Sequence, residues 1–247
     1  MDELTAVVTG ADAPLGESVA RRFAAEGARV VVSGRDADEL DELVADIASA
    51  RANGAEGDTD ADEIERVTGL RADVRDEYDV ERLLETAARE SDGGVDVVAA
   101  CAEAFHGEGE TLADSDAAET PLAEESYAAF DDTLRTNARG VFATIREAVP
   151  HLADGARVLV AGSPPNRSGG SYAVSKAAAT AVARGFAAQL DAAVGVVDAD
   201  RFDSGASEEL DRDSDAAAAF AWAATEAAAE DVDGEIVGPD ALESVTV

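Results

Sequence analysis

The chain has 247 residues, of which 46% are hydrophobic, and its 54 acidic and 19 basic side chains give a formal net charge of −35. A chain of this length buries roughly three quarters of the surface that its unfolded form exposes, which is enough for one α/β domain spanning residues 1–247. The negative charge argues against nucleic acid and anionic membranes as partners, because both repel an acidic surface.

The charge also indicates the salt concentration in which the protein works. At an ionic strength of about 1 M the Debye length is roughly 3 Å, so surface carboxylates hardly repel each other there. We therefore expect a salt-adapted, halophilic protein of the cytoplasm. An acidic disordered chain is the alternative, and the apolar runs described below argue against it. The acidic start at Met1-Asp2-Glu3 resembles no signal peptide, no apolar run is long enough to span a membrane, and the single Cys101 can form no disulfide within the chain.

Short β-branched runs alternate along the chain with long segments rich in Ala, Leu, Glu and Arg. The predicted strands are residues 5–9, 29–33, 68–71, 95–100, 157–161, 194–198 and 235–237. The predicted helices begin near Leu15, Ala37, Glu77, Glu124, Ser171 and Asp213. This alternation is typical of βαβ units and predicts an α/β fold, a doubly wound Rossmann-type domain whose parallel sheet has helices on both faces. Two acidic stretches, 53–62 and 103–120, are predicted to be surface loops.

The first predicted strand runs into Thr9-Gly10 and, after a short turn, into Leu15-Gly16 and a helix. Gly10 permits a tight turn, Gly16 lets the helix approach the strand, and the helix N-terminus favours a pyrophosphate. A purely structural turn is an equal alternative, because the spacing is not the usual G-x-G-x-x-G. Pro14 lacks an N–H but suits the first helical position.

The ends of the second and third strands are the next candidates for cofactor contacts. Ser33-Gly34-Arg35 lies where a dinucleotide fold meets the adenosine ribose. A guanidinium there suits a 2′-phosphate and favours NADP over NAD, and a solvated arginine that begins a helix is the alternative. Asp73-Val74 follows the third strand, where the carboxylate is placed to accept the adenine amino group.

A tyrosine and a lysine open the helix after the fifth strand. Tyr172 and Lys176 are four residues apart and so share one helical face. A neighbouring ammonium favours the phenolate and lowers a tyrosine pKa from its usual value of about 10, as acid–base catalysis requires. An ordinary surface pair is the alternative, but 18 of the 19 basic residues are arginines and Lys176 is the one lysine. Arginine is no substitute for a compact ammonium, which indicates a chemical constraint at this position.

These residues resemble the short-chain dehydrogenase/reductase family along nearly the whole chain. The resemblance rests on Thr9-Gly10 with Gly16, on Asp73-Val74, on the stretch from Thr136-Asn137 to Val141-Phe142, on Gly162-Ser163, and on Tyr172 with Lys176. It implies a seven-stranded parallel sheet of order 3-2-1-4-5-6-7, a nicotinamide dinucleotide cofactor, for which Arg35 favours NADP, a small-molecule carbonyl or alcohol substrate, and a homotetramer.

The resemblance also implies roles for four residues. Tyr172 would be the general acid toward the substrate carbonyl, and Lys176 would hold the nicotinamide ribose and tune the phenol. Ser163 would bond the substrate oxygen, and Asn137 would hold a water molecule in a proton relay.

Two motifs depart from the family pattern. The family's Asn-Asn-Ala-Gly after the fourth strand is Ala100-Cys101-Ala102-Glu103 here, so Ala100 and Ala102 lie along the cofactor while a carboxylate faces it. The family's Pro-Gly after the sixth strand is replaced by residues 200–203, Asp-Arg-Phe-Asp. Both departures favour the alternative of an NADP-binding or sensing protein, whereas the retained Asn, Ser, Tyr and Lys favour an enzyme. His106, His151 and Cys101 lack the spacing of metal ligands, so no metal site is expected.

Overall fold

The computed structural model of the chain describes residues 1–54, 66–91, 93–106, 121–162, 170–199 and 212–243. The strands are β1 (Thr5–Thr9), β2 (Arg29–Gly34), β3 (Val67–Arg71), β4 (Val95–Ala100), β5 (Leu152–Gly162), β6 (Ala193–Asp198) and β7 (Ile236–Val237). The helices are α1 (Pro14–Ala25), α2 (Ala37–Gly54), α3 (Glu77–Glu90), α4 (Tyr127–Leu134), α5 (Gly140–Ala148), α6 (Ser171–Ala187), α7 (Arg212–Thr225), α8 (Ala229–Val232) and α9 (Pro239–Glu243). A π-helical turn, Arg135–Arg139, joins α4 to α5, and a 3₁₀ turn, Val149–His151, follows α5.

The seven strands form one sheet in the order β3-β2-β1-β4-β5-β6-β7, and every neighbouring pair is parallel. This confirms the predicted strand order. The order reverses direction between β1 and β4, and in open parallel sheets ligands bind outside the carboxyl ends of the strands at that point.

Helices cover both faces of the sheet, as predicted. One face packs against α1, α2 and α7 through side chains such as Phe23, Leu40 and Phe220. The other face packs against α3, α5 and α6 through side chains such as Leu83 and Ile145. Burying each of these large apolar side chains contributes roughly 1.5–3 kcal/mol. Two packed layers therefore fix the carboxyl edge of the sheet in place.

Several element boundaries differ from the predictions. β5 begins at Leu152, five residues before the predicted start. The helix predicted to begin near Glu124 begins at Tyr127, because the Ser126 side chain accepts a hydrogen bond from Ala129 N at 3.1 Å and caps it. Predicted loop residues 107–120 and most of the predicted loop 53–62 lie outside the described residues. In the part of the chain that the structure describes, no helix is both long enough and apolar enough to cross a membrane.

Candidate active site

The turn between β1 and α1 depends on two glycines. Gly10 has a φ of +72°, and a Cβ there would lie 2.5 Å from Cα of Ala102, just after β4. A Cβ on Gly16 would overlap the carbonyl oxygen of Gly10. The hydroxyl of Thr9 accepts a hydrogen bond from Ala102 N at 3.4 Å. The N-terminus of α1 therefore lies directly beside the ends of β1 and β4.

The first turn of α1 presents backbone donors toward this edge. Pro14 occupies the first helical position, where a missing N–H costs no helical hydrogen bond. The first intrahelical bond runs from Glu17 N to Ala13 O at 2.9 Å, so the amides of Leu15 and Gly16 precede it. Together with the positive end of the helix dipole, these two amides suit an anion such as a phosphate.

At the end of β2, backbone N–H groups donate hydrogen bonds to the carboxylate of Asp12, which lies in the loop after β1. Asp12 Oδ2 accepts hydrogen bonds from Arg35 N at 2.6 Å and Asp36 N at 3.2 Å. A Cβ on Gly34 would lie 2.6 Å from Asp12 Oδ1, so a larger residue would displace Asp12. The Arg35 side chain is exposed at this edge, and the buried Ser33 Oγ has no hydrogen-bond partner among the described residues.

The carboxylate of Asp73 is engaged within the protein. Arg75 Nη2 lies 2.7 Å from Asp73 Oδ2, and Arg75 Nη1 lies 2.6 Å from Asp132 Oδ1. His106 Nε2 lies 3.0 Å from the second oxygen of Asp132. The hydrogen bond from Arg75 holds the pKa of Asp73 below its usual value. Burial acts to raise the pKa of Asp132, but the hydrogen bonds from His106 and Arg75 outweigh it and lower that pKa.

These residues line one cleft at the carboxyl edge of the sheet. Its lining residues are Gly10, Asp12, Ala13, Gly34, Arg35, Ala72, Asp73, Val74, Ala102, Glu103 and Thr136. Within the described part of the chain, the buried Thr136 Oγ1 has no hydrogen-bond partner, and a buried polar group left so costs about 1–3 kcal/mol. Backbone donors, an exposed guanidinium and orphaned hydroxyls fit the phosphate and adenosine parts of a dinucleotide.

Tyr172 and Lys176 lie at the start of α6, both only 4% exposed. The ammonium of Lys176 is 5.2 Å from the centroid of the Tyr172 ring and donates to Ala161 O, near the end of β5, at 3.1 Å. The side chain of Glu125 accepts a hydrogen bond from Ser171 N at 3.1 Å and thereby satisfies a backbone donor in the first turn of α6. The structure therefore brings the predicted proton-transfer pair together at the carboxyl edge of the sheet.

The carboxylate of Glu103 contacts both Tyr172 and Lys176. The Tyr172 hydroxyl donates to Glu103 Oε2 at 3.0 Å, and Lys176 Nζ lies 2.8 Å from the same oxygen. Phe105 packs its ring edge-on against Tyr172, with 5.7 Å between the centroids. One carboxylate oxygen therefore bridges the phenol and the ammonium.

Asn137 lies in the π-helical turn between α4 and α5, a distortion that is frequent at functional sites. Its Oδ1 accepts from Ala104 N at 2.6 Å, and its Nδ2 donates to Ala104 O at 3.0 Å and to Ser175 Oγ at 2.9 Å. Ser175 Oγ in turn donates to Tyr172 O at 2.7 Å. Asn137 thus fixes the main chain next to Glu103 and connects it to α6.

The remaining predicted residues are placed as follows. Ala100 ends β4 and is buried, while Ser163 lies outside the described residues. Cys101 is buried, and its burial raises the pKa of the thiol, so the thiolate form is disfavoured. Among the described residues, no group of His, Cys, Asp and Glu side chains is arranged to hold a metal ion.

Asp12 and Thr136 line the site although neither is among the residues predicted from the sequence, and Glu103 is predicted only as a departure from the family pattern. A signal was present for the two acids: both are in loops that leave the carboxyl ends of β1 and β4, where ligands bind in this kind of sheet.

Comparison with known proteins identifies the family. The family described as short chain dehydrogenase matches residues 4–199. A (+)-cis,trans-nepetalactol synthase of Nepeta racemosa is 29% identical over 195 residues, which are 76% of this chain and 64% of that protein. This chain therefore spans less than two thirds of that relative's length.

Solved structures agree on the fold. A dehydrogenase/reductase from Sinorhizobium meliloti superimposes with a TM-score of 0.75 at 25% identity, covering 96% of this chain and 94% of its own. A short chain dehydrogenase from Burkholderia cenocepacia, solved in complex with NADP, gives a TM-score of 0.76 at 22% identity, with 97% of each chain covered. The sheet order, the cleft at the strand ends and the family match lead to one conclusion: the chain belongs to the short-chain dehydrogenase/reductase family of oxidoreductases.

Proposed function

We propose that the protein is an NADP(H)-dependent oxidoreductase that moves a hydride between the nicotinamide and a carbonyl or secondary alcohol substrate. The observation that carries the proposal is the proximity of Tyr172 and Lys176 at the carboxyl edge of the sheet, where the Lys176 ammonium lies 5.2 Å from the centroid of the Tyr172 ring and both side chains are buried. A phenol beside an ammonium, both buried, is a proton donor and acceptor shielded from bulk water.

The bound nicotinamide would supply the hydride for reduction or accept it in oxidation. Tyr172 Oη would give its proton to the substrate oxygen during reduction and take it back during oxidation. Lys176 would hold the nicotinamide ribose and favour the phenolate form of Tyr172. Ser163, which follows β5, would bond the substrate oxygen, and Asn137 fixes the main chain beside the reacting groups through Ala104.

The choice of NADP follows from the charges at the adenosine end. The amides of Leu15 and Gly16 would receive the pyrophosphate at the N-terminus of α1. The exposed guanidinium of Arg35 would bind the 2′-phosphate, where NAD-selective folds place a carboxylate. The Burkholderia cenocepacia neighbour, solved with NADP, supports this choice by analogy.

A second candidate function is that of an NADP-binding or sensing module without turnover. The Glu103 carboxylate favours it, because it engages both Tyr172 and Lys176. In addition, one relative, the nepetalactol synthase, is named for a reaction other than reduction.

We also propose where and in what form the protein works. Its charge of −35 fits the cytoplasm of a halophile, where molar salt screens the surface. A homotetramer would cover Phe142 on α5 and Val174 on α6, which are 42% and 39% exposed in the single chain. These two helices carry or adjoin the residues of the candidate site.

The test is a screen for NADPH oxidation in molar KCl against aldehydes, ketones, sugars and 3-oxoacyl thioesters, with NADPH binding measured in parallel by fluorescence. Turnover of at least one carbonyl class is the expected result. Tight NADPH binding with complete inactivity across the panel would support the sensing module, and absence of NADPH binding would contradict both.

A further inference from the structure

The Glu103 carboxylate occupies the hydrogen-bonding positions that the proposed reaction needs. Tyr172 has one hydroxyl proton, and it points at Glu103 Oε2 at 3.0 Å. Lys176 Nζ, which is proposed to hold the nicotinamide ribose, lies 2.8 Å from the same oxygen. A phenol that donates to Glu103 cannot give the same proton to a substrate oxygen, so the contact must break before the reaction.

The contact is an ion pair in a site with little water. The side chain of Lys176 is 5% exposed and that of Glu103 is 21% exposed. Charges that are paired at such depth attract strongly, because little solvent screens them. Separating Glu103 from Lys176 therefore costs free energy, and any ligand that requires the separation binds more weakly by that amount.

The main chain beside Glu103 is fixed, whereas its side chain borders an open cleft. Asn137 bonds both the N–H and the carbonyl of Ala104, at 2.6 and 3.0 Å. Glu103 also lines the open cleft that leads to Gly10 and Arg35. Because that main chain is fixed, release of the carboxylate is a rotation of the Glu103 side chain away from Tyr172 and Lys176.

We infer that Glu103 is an internal competitor of the cofactor: its carboxylate holds Tyr172 and Lys176 until the nicotinamide ribose displaces it, and it thereby lowers the affinity of the whole chain for NADP(H). This inference rests on the proposed function, because it takes Lys176 as the ribose partner. It makes Glu103 a determinant of cofactor affinity at the nicotinamide end, distinct from the role proposed for Arg35 at the adenosine end.

The variant Glu103→Ala removes the competitor, and Glu103→Gln removes its charge while keeping its size. Two ligands separate a local effect from a general one. NADPH must displace Glu103, whereas adenosine 2′,5′-bisphosphate carries only the adenosine and 2′-phosphate end and leaves the carboxylate in place. Glu85→Gln is the charge-matched control, because Glu85 is exposed on α3 and its loss changes the net charge by the same amount. Measurements in molar KCl suppress long-range repulsion.

We expect Glu103→Ala to lower the NADPH Kd at least fivefold and Glu103→Gln at least threefold. The bisphosphate Kd should stay within twofold in both variants, and both Kd values should stay within twofold in Glu85→Gln. Melting temperatures verify that each variant is folded, and Glu103→Gln carries the test if Glu103→Ala does not fold.

Three results would overturn the inference. Equal tightening of NADPH and bisphosphate would mean that Glu103 acts only as a distant negative charge. Unchanged NADPH affinity in variants of a protein that binds both ligands would refute the competitor and leave the proposed function intact. Failure of the wild type and of both Glu103 variants to bind either ligand would refute the proposed function together with the inference.

Discussion

Lys176 is the single lysine of the chain, and its buried ammonium has a hydrogen-bond acceptor and a carboxylate in fixed positions around it. Nζ donates to Ala161 O at 3.1 Å and pairs with Glu103 at 2.8 Å while the residue is 4% exposed. An arginine has the same charge but a larger, planar head, and close-packed interiors do not absorb extra volume without strain. The chemistry at this position therefore depends on the shape of the cation as well as on its charge.

The first prediction concerns the exchange Lys176→Arg. We expect it to lower the free energy of unfolding by about 1–3 kcal/mol through overpacking. Turnover should fall at least a hundredfold, since the guanidinium cannot take the place of Nζ. Arg184→Lys, the opposite exchange at an exposed position on the same helix, is the control and should change stability and turnover little. Wild-type turnover in Lys176→Arg would show that any cation suffices.

At the scale of secondary structure, short loops at the carboxyl edge of the sheet bring the site together. The loop after β3 is tied to α4 by Arg75, which contacts Asp73 and Asp132 at 2.7 and 2.6 Å. The loop after β2 carries Arg35 to the mouth of the cleft. Each of these connections makes a separate prediction.

The ties made by Arg75 predict a contribution to stability that depends on pH. The pKa values of Asp73 and Asp132 are lowered in the folded protein, so their stabilising effect is present above the unfolded value of about 3.9 and is lost as the pH falls through the folded values. Arg75→Gln should therefore be less stable than wild type by about 1 kcal/mol above pH 5. Urea unfolding should show this difference shrinking below pH 4, and a difference that grows with acid would contradict the assignment.

The loop after β2 predicts cofactor selectivity. Wild-type protein in molar KCl should bind NADPH at least tenfold more tightly than NADH, and Arg35→Ala should lose most of that preference while NADH binding changes little. Arg71→Ala, which removes a guanidinium near the end of β3 that donates to Arg35 O at 3.2 Å, tests whether the effect is specific to Arg35. Equal wild-type affinities for the two cofactors would contradict the role given to Arg35.

For the protein as a whole, the feature with the largest expected consequence for stability is the net charge of −35. Self-repulsion among like charges opposes the compact state, and salt weakens it by shortening the Debye length from about 10 Å at 0.1 M to about 3 Å at 1 M. The melting temperature should accordingly rise between 0.1 and 2 M KCl. Potassium chloride and potassium acetate at equal ionic strength should give similar curves if screening is the cause, and a flat or falling melting temperature would contradict it.

Much of the fold was predictable from sequence because each strand is a short, buried apolar run. The stretch from Val30 to Val32 shows this pattern. The early start of β5 and the π-helical turn at Asn137 were not predictable, because tertiary contacts determine them. Local sequence patterns do not predict that Leu152 pairs with Val95, or that Asn137 is hydrogen-bonded to the main chain of Ala104.

The candidate site was predictable in its residue types and less so in its contacts. The spacing of Tyr172 and Lys176 and the solitary lysine indicated the pair. Sequence placed Glu103 near the cofactor but not on the Tyr172 hydroxyl, since that contact depends on how the loop after β4 crosses the start of α6. The contact of Arg75 with Asp132, 57 residues later in the chain, likewise depends on the tertiary fold.

Whether Tyr172 transfers the proton in a hydride-transfer reaction is decided by the turnover of Tyr172→Phe on whichever carbonyl the wild type reduces with NADPH. The matched control is Tyr127→Phe, because Tyr127 is 89% exposed at the start of α4. We predict a loss of at least a hundredfold in kcat for Tyr172→Phe, with the NADPH Kd within threefold of wild type and the control unchanged. Turnover of Tyr172→Phe within tenfold of wild type would show that another group donates the proton.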